Sequence, residues 1–577
     1  MSEVEEDPAQ LLAVLATRKA DWAATPLEDK YQAALEIRSR VLEAASRWSR
    51  VAAHTRGCSK EAMAAQELPL MLVPLANYLD NLLVSLAALK AGAPLPSPPA
   101  AAAPGGDGLV VKAHPWGTVQ TWFSLLGWST STEVTLASAS QGAQLRAASP
   151  AVAVVRSVGY APVESLAAAL HLAFVSGAVV GLVLPAWQAP LQLVMEYIMD
   201  PLARGAFFAT LLAADDAEAA ALTASPAVDR LHLVGFTPDD FGALAEAAGG
   251  ADALPPLVSG EVHGPAPWIV APGPWTQAQL AHHSQVLAEA AAYAGGASPY
   301  AARLVLLPAA WEQADAFVDL VRGELAGYKL PAAVDPGVAQ RHADFRRHYP
   351  DAFVSGAGPR NDLIPGVGPC PPWVVNVLEA YPDDPASEPA FQTDPRGPVL
   401  TIVKIATDAG SEEELLISFL DRAVRAVNED VQGSFGMTLV AHGATQKRYA
   451  AQLDAALAAV RYGVVVVNAN LGLGLWSAQT HWGVHSGAAE VAPGRTLRLG
   501  STQNSLLYDE GVKGIVRFPF ETYLHILPPE YRSITMRASR QLAVGIVDGM
   551  RGFLRGLKDK SWAPPVTLGE GSGGVVA

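Results

Sequence analysis

Short runs of unbroken aliphatic residues, separated by helical stretches, constrain this chain more than any other feature. Ala151 to Val155 (AVAVV) and Gly181 to Leu184 (GLVL) carry no polar side chain. Strands of that kind are covered on both faces, as in a parallel sheet flanked by helices. Leu231 to Gly235 (LHLVG) supplies a further strand. The alternation of strand and helix predicts an α/β doubly wound sheet. A second α/β unit takes candidate strands from Arg303 to Leu307, Thr401 to Ile405 and Gly463 to Val467, and ends near Gly487.

Composition agrees with a large buried core. Half of the 577 residues are hydrophobic and 17% are charged, so disorder is expected only at the ends. The length fits about four domains of roughly 150 residues or one large α/β protein of fewer, bigger domains. Lys and Arg number 40 against 56 Asp and Glu, a net charge of −16 with no basic run, which argues against nucleic acid as a partner. Cys58 and Cys370 are the only cysteines, too few for a disulfide framework, so a reducing compartment is the expectation. The N-terminus MSEVEEDPAQ lacks the basic and apolar pattern of a secretory or transit peptide, which points to the cytoplasm. The uncharged stretch from Ser165 to Met195 is long enough to span a bilayer. Gly177, Gly181, Pro185 and Pro190 interrupt it, and it reads as helix, turn, buried strand and loop.

Thr25-Pro-Leu-Glu28 has the form of a capping box with proline at the first helical position, and Glu61 to Leu89 reads as a second helix. A Pro/Ala/Gly-rich linker follows, then strand-like segments LVVKAH, TVQTWF and STEVTLASA. After Pro528, Ile534, Leu542, Ile546, Met550, Phe553 and Leu557 recur near helical spacing, which suits a helix docked on the protein's own body. The expected divisions are a helical N-terminal layer (1–92), the linker (93–108), an α/β unit (109–256), which the resemblance set out next implies to be Rossmann-like, a second α/β unit (257–487), which it implies to be of catalytic type, a return to the first unit (488–530), where it implies an oligomerisation strand, and a C-terminal helix with a flexible tail (531–577).

The stretch Leu257 to Leu307 resembles the centre of the aldehyde dehydrogenase superfamily: a glutamate-glycine turn, a strand, a long helix, and then the loop that bears the nucleophile. PGPW at Pro272 to Trp275, GPVL at Gly397 to Leu400, VVVN at Val465 to Asn468 and HWGVHSG at His481 to Gly487 extend the resemblance. It covers roughly Ala151 to Phe520. The tail QNSLLYDEGVKGIVRFPF with LPPEYRSITMRASRQL looks like a larger-subunit branch with a C-terminal extension. The resemblance implies an aldehyde dehydrogenase-like fold of two doubly wound parallel-sheet domains, an oligomerisation element and a homo-oligomer. Enzymes of the family oxidise an aldehyde through a cysteine thiolate, hydride transfer to NAD or NADP, and thioester hydrolysis by a glutamate-activated water.

Aligned on that pattern, most of the machinery is replaced. Glu261 takes the glutamate position, where capping or pairing with an arginine is its alternative use. The nucleophile position falls on Pro299, which has no nucleophilic atom; the neighbouring Ser298 is an unactivated hydroxyl. Loss of a nucleophile costs on the order of a millionfold in turnover. The oxyanion asparagine falls on Ala161 in Gly159-Tyr160-Ala161-Pro162, and one missing donor costs about 10²–10³ in rate. The cofactor-binding lysine falls on Leu184, removing a charged hydrogen bond worth about 1.5–3 kcal/mol. Gly235-Phe236-Thr237 stands for the turn that abuts the pyrophosphate, with Asp239 and Asp240 nearby to repel it. The glutamate that holds the nicotinamide ribose corresponds to Asp394, and Arg396 takes the place of an aromatic residue. Cys370, between prolines, reads as a packed thiol; His282 and His283 lack the i, i+4 spacing of metal ligands; Gly472 and Gly474 mark a tight turn.

These replacements favour a catalytically degenerate protein acting as a structural or interaction subunit, with no cofactor. An NAD- or NADP-dependent oxidoreductase acting by a divergent route, and a regulatory protein that binds a small molecule in the old cleft, remain as alternatives.

Overall fold

The computed structural model describes residues 7–55, 73–95, 100–102, 109–114, 131–136, 149–158, 162–327, 330, 332–333, 337–356, 370–407, 410–476, 480–485, 490–492, 495–496 and 511–518. The sequence-read helix after Pro528, the segment TVQTWF and Cys58 lie outside them.

Three strands come first in the chain: β1 (Ala100–Ala102), β2 (Leu109–His114) and β3 (Ser131–Leu136). A five-stranded sheet then forms from β4 (Ala151–Ser157), β5 (Ala178–Pro185), β6 (Phe208–Ala213), β7 (Arg230–Phe236) and β8 (Leu257–Val262), in the order β6-β5-β4-β7-β8. Every pair in it is parallel. Its central strands are the aliphatic runs read from the sequence, and Val152, Val154, Val180 and Leu182 are fully buried. Leu257–Val262, read as the start of the second unit, hydrogen-bonds in this first sheet; the chain crosses to the second sheet between Val262 and Ala266.

Among the described residues, three N-terminal helices close around this sheet: α1 (Pro8–Ala24), α2 (Leu27–Thr55) and α3 (Val73–Lys90). α1 lies on β4, β5 and β6, and its Trp22 is sealed between Phe174 and Phe207 with Nε1 donating to the Ala173 carbonyl at 2.8 Å. The capping box expected at Thr25 is displaced by the end of α1. There the Thr25 hydroxyl donates backwards, to the Asp21 carbonyl at 2.9 Å. Within the sheet unit the helices are α4 (Pro162–Phe174), α5 (Ala189–Ala203), α6 (Asp216–Thr223) and α7 (Pro238–Ala247). α4, β5 and the start of α5 account for the long uncharged stretch; where a loop was expected after the strand, Pro190 sits in the first turn of α5, and among the described residues no helix is long and apolar enough to cross a membrane.

Among the described residues the second sheet has eleven strands. They include β9 (Ala266–Val270), β10 (Ala302–Pro308), β11 (Phe353–Ser355), β12 (Trp373–Leu378), β13 (Val399–Ile405), β14 (Gly436–Val440) and β15 (Val464–Val467). A short hairpin of β16 (Glu490–Ala492) and β17 (Arg495–Thr496) stands apart, and the last strand, β18 (Gly511–Arg517), returns to the large sheet. Its order is β1-β2-β3-β18-β15-β14-β9-β10-β13-β12-β11. From β18 to β12 neighbours are parallel, while β1 to β3 join β18 antiparallel and β11 closes the other edge antiparallel. Lys513 fixes β18 in place by donating to the carbonyls of Leu457, Ala458 and Val460, at the end of the helix Ala450–Ala459. Between β9 and β10 runs the helix α8 (Gln277–Ala292), with a full capping box of Thr276 and Gln279 at its start.

Candidate functional site

In a parallel sheet wound outward from its centre, ligands bind beyond the carboxyl ends of the strands where the winding reverses. Here that point lies between β4 and β7. Val158 follows β4, and Gly235 and Phe236 end β7. Gly235 adopts φ +78°, a conformation open to glycine, and a Cβ there would lie 2.6 Å from Val158 Cγ2 and 3.7 Å from Pro299 Cγ. Pro299 therefore packs onto the end of β7 across the two units.

The helix that leaves this turn, α7, begins with its amides already engaged. Thr237 is the N-cap, and its amide and hydroxyl donate to Asp240 Oδ2 at 2.6 and 2.7 Å. A second partner arrives from the other unit. Arg396 donates through Nη1 to Asp240 Oδ1 at 3.1 Å, through Nη2 to Asp240 Oδ2, and to the Thr237 hydroxyl at 3.3 Å. Helix N-termini attract anions, and here the anion is the protein's own carboxylate. Leu184 is wholly buried in β5, paired with Leu212, and offers the crevice no polar atom.

The loop between α8 and β10 turns through left-handed conformations at Ala294, Gly295 and Gly296 (φ 55°, 68° and 79°). Gly296 approaches the other chain segment so closely that a Cβ would meet the Gly397 carbonyl at 2.4 Å. Arg303, 3% exposed, holds the loop from below: Nη2 donates to the carbonyls of Gly296 and Ser298, and Nε to Asp394 Oδ1 at 2.9 Å. The same Asp394 oxygen accepts the Arg396 amide at 2.9 Å. Asp394 is thus committed to arginine and backbone. Ser298 is wholly buried, and its hydroxyl finds no hydrogen-bond partner among the described residues. Next to it, Gly264, Pro265, Pro299, Phe435 and Tyr462 line a shallow recess that encloses no room for a water molecule. Behind it rings fill the space: His263 lies 4.1 Å from Phe435, Phe435 5.0 Å from Trp482, and Trp482 6.0 Å from Tyr300.

The other sequence-read residues divide clearly. Glu261 pairs with Val234 in the β7 and β8 ladder. Ala161 lies outside the described residues. Cys370 is 2% exposed among apolar neighbours, and burial pushes its thiol up to about 12, so it is a packed, protonated group. His282 and His283 touch ring to ring at 5.0 Å, and among the described residues no cluster of three or more His, Cys, Asp or Glu side chains could hold a metal. Gly472 and Gly474 sit in a 3₁₀ turn, Leu471–Trp476. Sequence reasoning noted Asp240 and Arg396 only as departures from a pattern and gave Arg303 no role. The positive φ of 44° at Arg396, a residue before Gly397, left no mark in composition or periodicity.

No protein-family model matches the sequence, and no curated protein matches it. Solved structures do. A Burkholderia cenocepacia protein assigned as an aldehyde dehydrogenase is 17% identical, with a TM-score of 0.56 over 88% of this chain and 91% of that one. An aldehyde dehydrogenase of Pseudomonas aeruginosa is 17% identical, with a TM-score of 0.54 over 80% and 81%. An NADP-dependent glyceraldehyde-3-phosphate dehydrogenase of Bacillus halodurans, solved with NADP, is 14% identical, with a TM-score of 0.55 over 88% and 90%. With its two sheets, their connection and the loop between α8 and β10, the chain has the aldehyde dehydrogenase fold.

Proposed function

We propose that this protein keeps the aldehyde dehydrogenase fold without the family's chemistry and serves as a structural or interaction subunit. One observation carries the reading: among the described residues, the chain's own side chains crowd the end of β7 and the start of α7. Val158 and Pro299 pack around Gly235, and the Arg396 and Asp240 pair covers the start of α7. A dinucleotide entering there would have to break a half-buried ion pair and bring its phosphates against Asp240. Such an exchange is unfavourable because a carboxylate repels phosphate while the arginine is already satisfied.

The alignment implied by the family resemblance supports the same conclusion. With Pro299 at the nucleophile position, Ala161 at the oxyanion position and Leu184 at the lysine position, the nucleophile, the oxyanion donor and the cofactor-binding cation are all missing. Losses on the order of a millionfold and about 10²–10³ leave Glu261 without a thioester to hydrolyse. We place the protein in the cytoplasm as part of a homo-oligomer or larger complex. The second reading is a divergent oxidoreductase using NAD or NADP, and the bound NADP of the Bacillus halodurans neighbour favours it. Incubation with a panel of aliphatic and aromatic aldehydes and either nucleotide distinguishes the two. The scaffold reading expects no reduced nucleotide above the rate of a Glu261→Gln control. Turnover abolished by that substitution would establish the oxidoreductase instead.

A further inference from the structure

We infer that Arg396 and Asp240 form a latch that holds the crevice at the end of β4 and β7 shut. The inference rests on the reading that the crevice is closed, but its test measures opening and not turnover.

The latch is built from both units. Asp240 belongs to α7, which follows β7 of the five-stranded sheet, and Arg396 sits 156 positions away on the turn before β13 of the large sheet. Their contact is bidentate, the geometry in which guanidinium and carboxylate fit face to face. The Arg396 side chain is 9% exposed, whereas that of Asp240 is 27% exposed, so the pair lies at the mouth of the crevice with its acidic member toward solvent.

The arginine is held there under backbone strain. A non-glycine residue at φ 44° adopts a conformation it would leave if released, and such residues persist only where their surroundings over-determine them. The surroundings here are Asp394, which accepts the Arg396 amide, and Arg303, which holds Asp394. Arg303 also grips the carbonyls of Gly296 and Ser298, one residue before Pro299. Both covers of the crevice, Arg396 on α7 and Pro299 on Gly235, are therefore set by one buried pair. Removing the outer ion pair takes away the bidentate contact that opposes the strain of the turn, so the crevice should part locally while both sheets stay intact.

Hydrogen exchange followed by mass spectrometry on the full chain tests this. Asp240→Asn keeps an oxygen for the Thr237 amide while removing the charge; Arg396→Gly removes the guanidinium and suits the backbone. The informative amides are those of Val158, His263 and Ala301, which donate to the carbonyls of Val234, Phe236 and Ser298 and not to the latch residues. Each variant should raise exchange in peptides holding these amides by tenfold or more, with peptides from β5 and β13 unchanged. The double variant should exchange no faster than the faster single one, since both remove the same bond. Folded variants that exchange at the wild-type rate, or single effects that multiply in the double variant, would overturn the latch. If Arg396→Gly fails to fold, Asp240→Asn alone decides between these results.

Discussion

Arg303 Nε lies 2.9 Å from Asp394 Oδ1, and the two side chains are only 2% and 3% exposed. Each partner has a second duty, Arg303 to the loop before Pro299 and Asp394 to the turn at Arg396. Removing either one leaves the other as a buried, uncompensated charge. Arg303→Met or Asp394→Asn should therefore cost about 3–5 kcal/mol, measured by urea unfolding. A loss below about 1 kcal/mol from both would mean that the pair is not buried as it is described here.

Gly235 lies against Val158 and Pro299 in a backbone conformation that alanine adopts poorly. Gly235→Ala adds a clash at 2.6 Å from Val158 Cγ2 to that strain, and a loss of about 1–3 kcal/mol is expected. Shortening the neighbour in the same background, with Val158→Ala, should relieve the steric share and leave the conformational one. A double variant no more stable than Gly235→Ala would remove the contact from the explanation.

Acid should unfold the protein early. Burial lowers His232 to about 3, with a smaller effect of His171, and lowers His263 to about 3; burial lowers His481 to about 4 against the raising influence of its bond to the Val484 carbonyl. In the unfolded chain these rings titrate near 6.5. Above that pH both states are neutral and the linkage is silent. As pH falls below about 6.5 the unfolded state takes up protons that the folded state refuses, and stability drops by about 1.4 kcal/mol per pH unit for each ring until the folded values are reached. Unfolding midpoints in urea should be flat above neutrality and fall steeply toward pH 5. Equal midpoints on both sides of that window would contradict the buried neutral rings.

Cys370 should be silent toward thiol reagents in the native state. Its thiol is pushed up to about 12 by burial and contacts the Gly295 carbonyl at 3.9 Å. Alkylation mapped by mass spectrometry should modify it only in denaturant, since the reactive species is the thiolate. Rapid native labelling at neutral pH would reopen it as a nucleophile.

How much of this the sequence revealed depends on how local the signal is. β4, β5 and β7 were legible because strands covered on both faces need aliphatic side chains at every position. β6, Phe208–Ala213, carries Thr210 and was passed over, and β8 carries Ser259, Gly260 and Glu261, so it read as a turn leading away from the sheet it completes. Of the stretch Glu61 to Leu89, read as one helix, the described residues lie in α3, Val73–Lys90, while α1 leaves too weak a pattern beside the acidic N-terminus. At the crevice the family pattern located Gly235, Thr237, Asp394 and Pro299, which the fold brings to one place. What joins them was not legible. Arg303 meets Asp394 across 91 positions and Arg396 meets Asp240 across 156, and nothing in local periodicity reports a pairing at that distance.

The thermal midpoint of the purified protein, titrated with NAD and with NADP, bears most directly on whether the crevice has lost its nucleotide. A ligand at 100 times its Kd adds about 2.7 kcal/mol of stability, enough to move the midpoint by several degrees. A crevice filled by Val158, Pro299, Arg396 and Asp240 predicts no shift with either nucleotide at millimolar concentration. A clear, saturable rise would contradict it and return the protein to the nucleotide-dependent oxidoreductases.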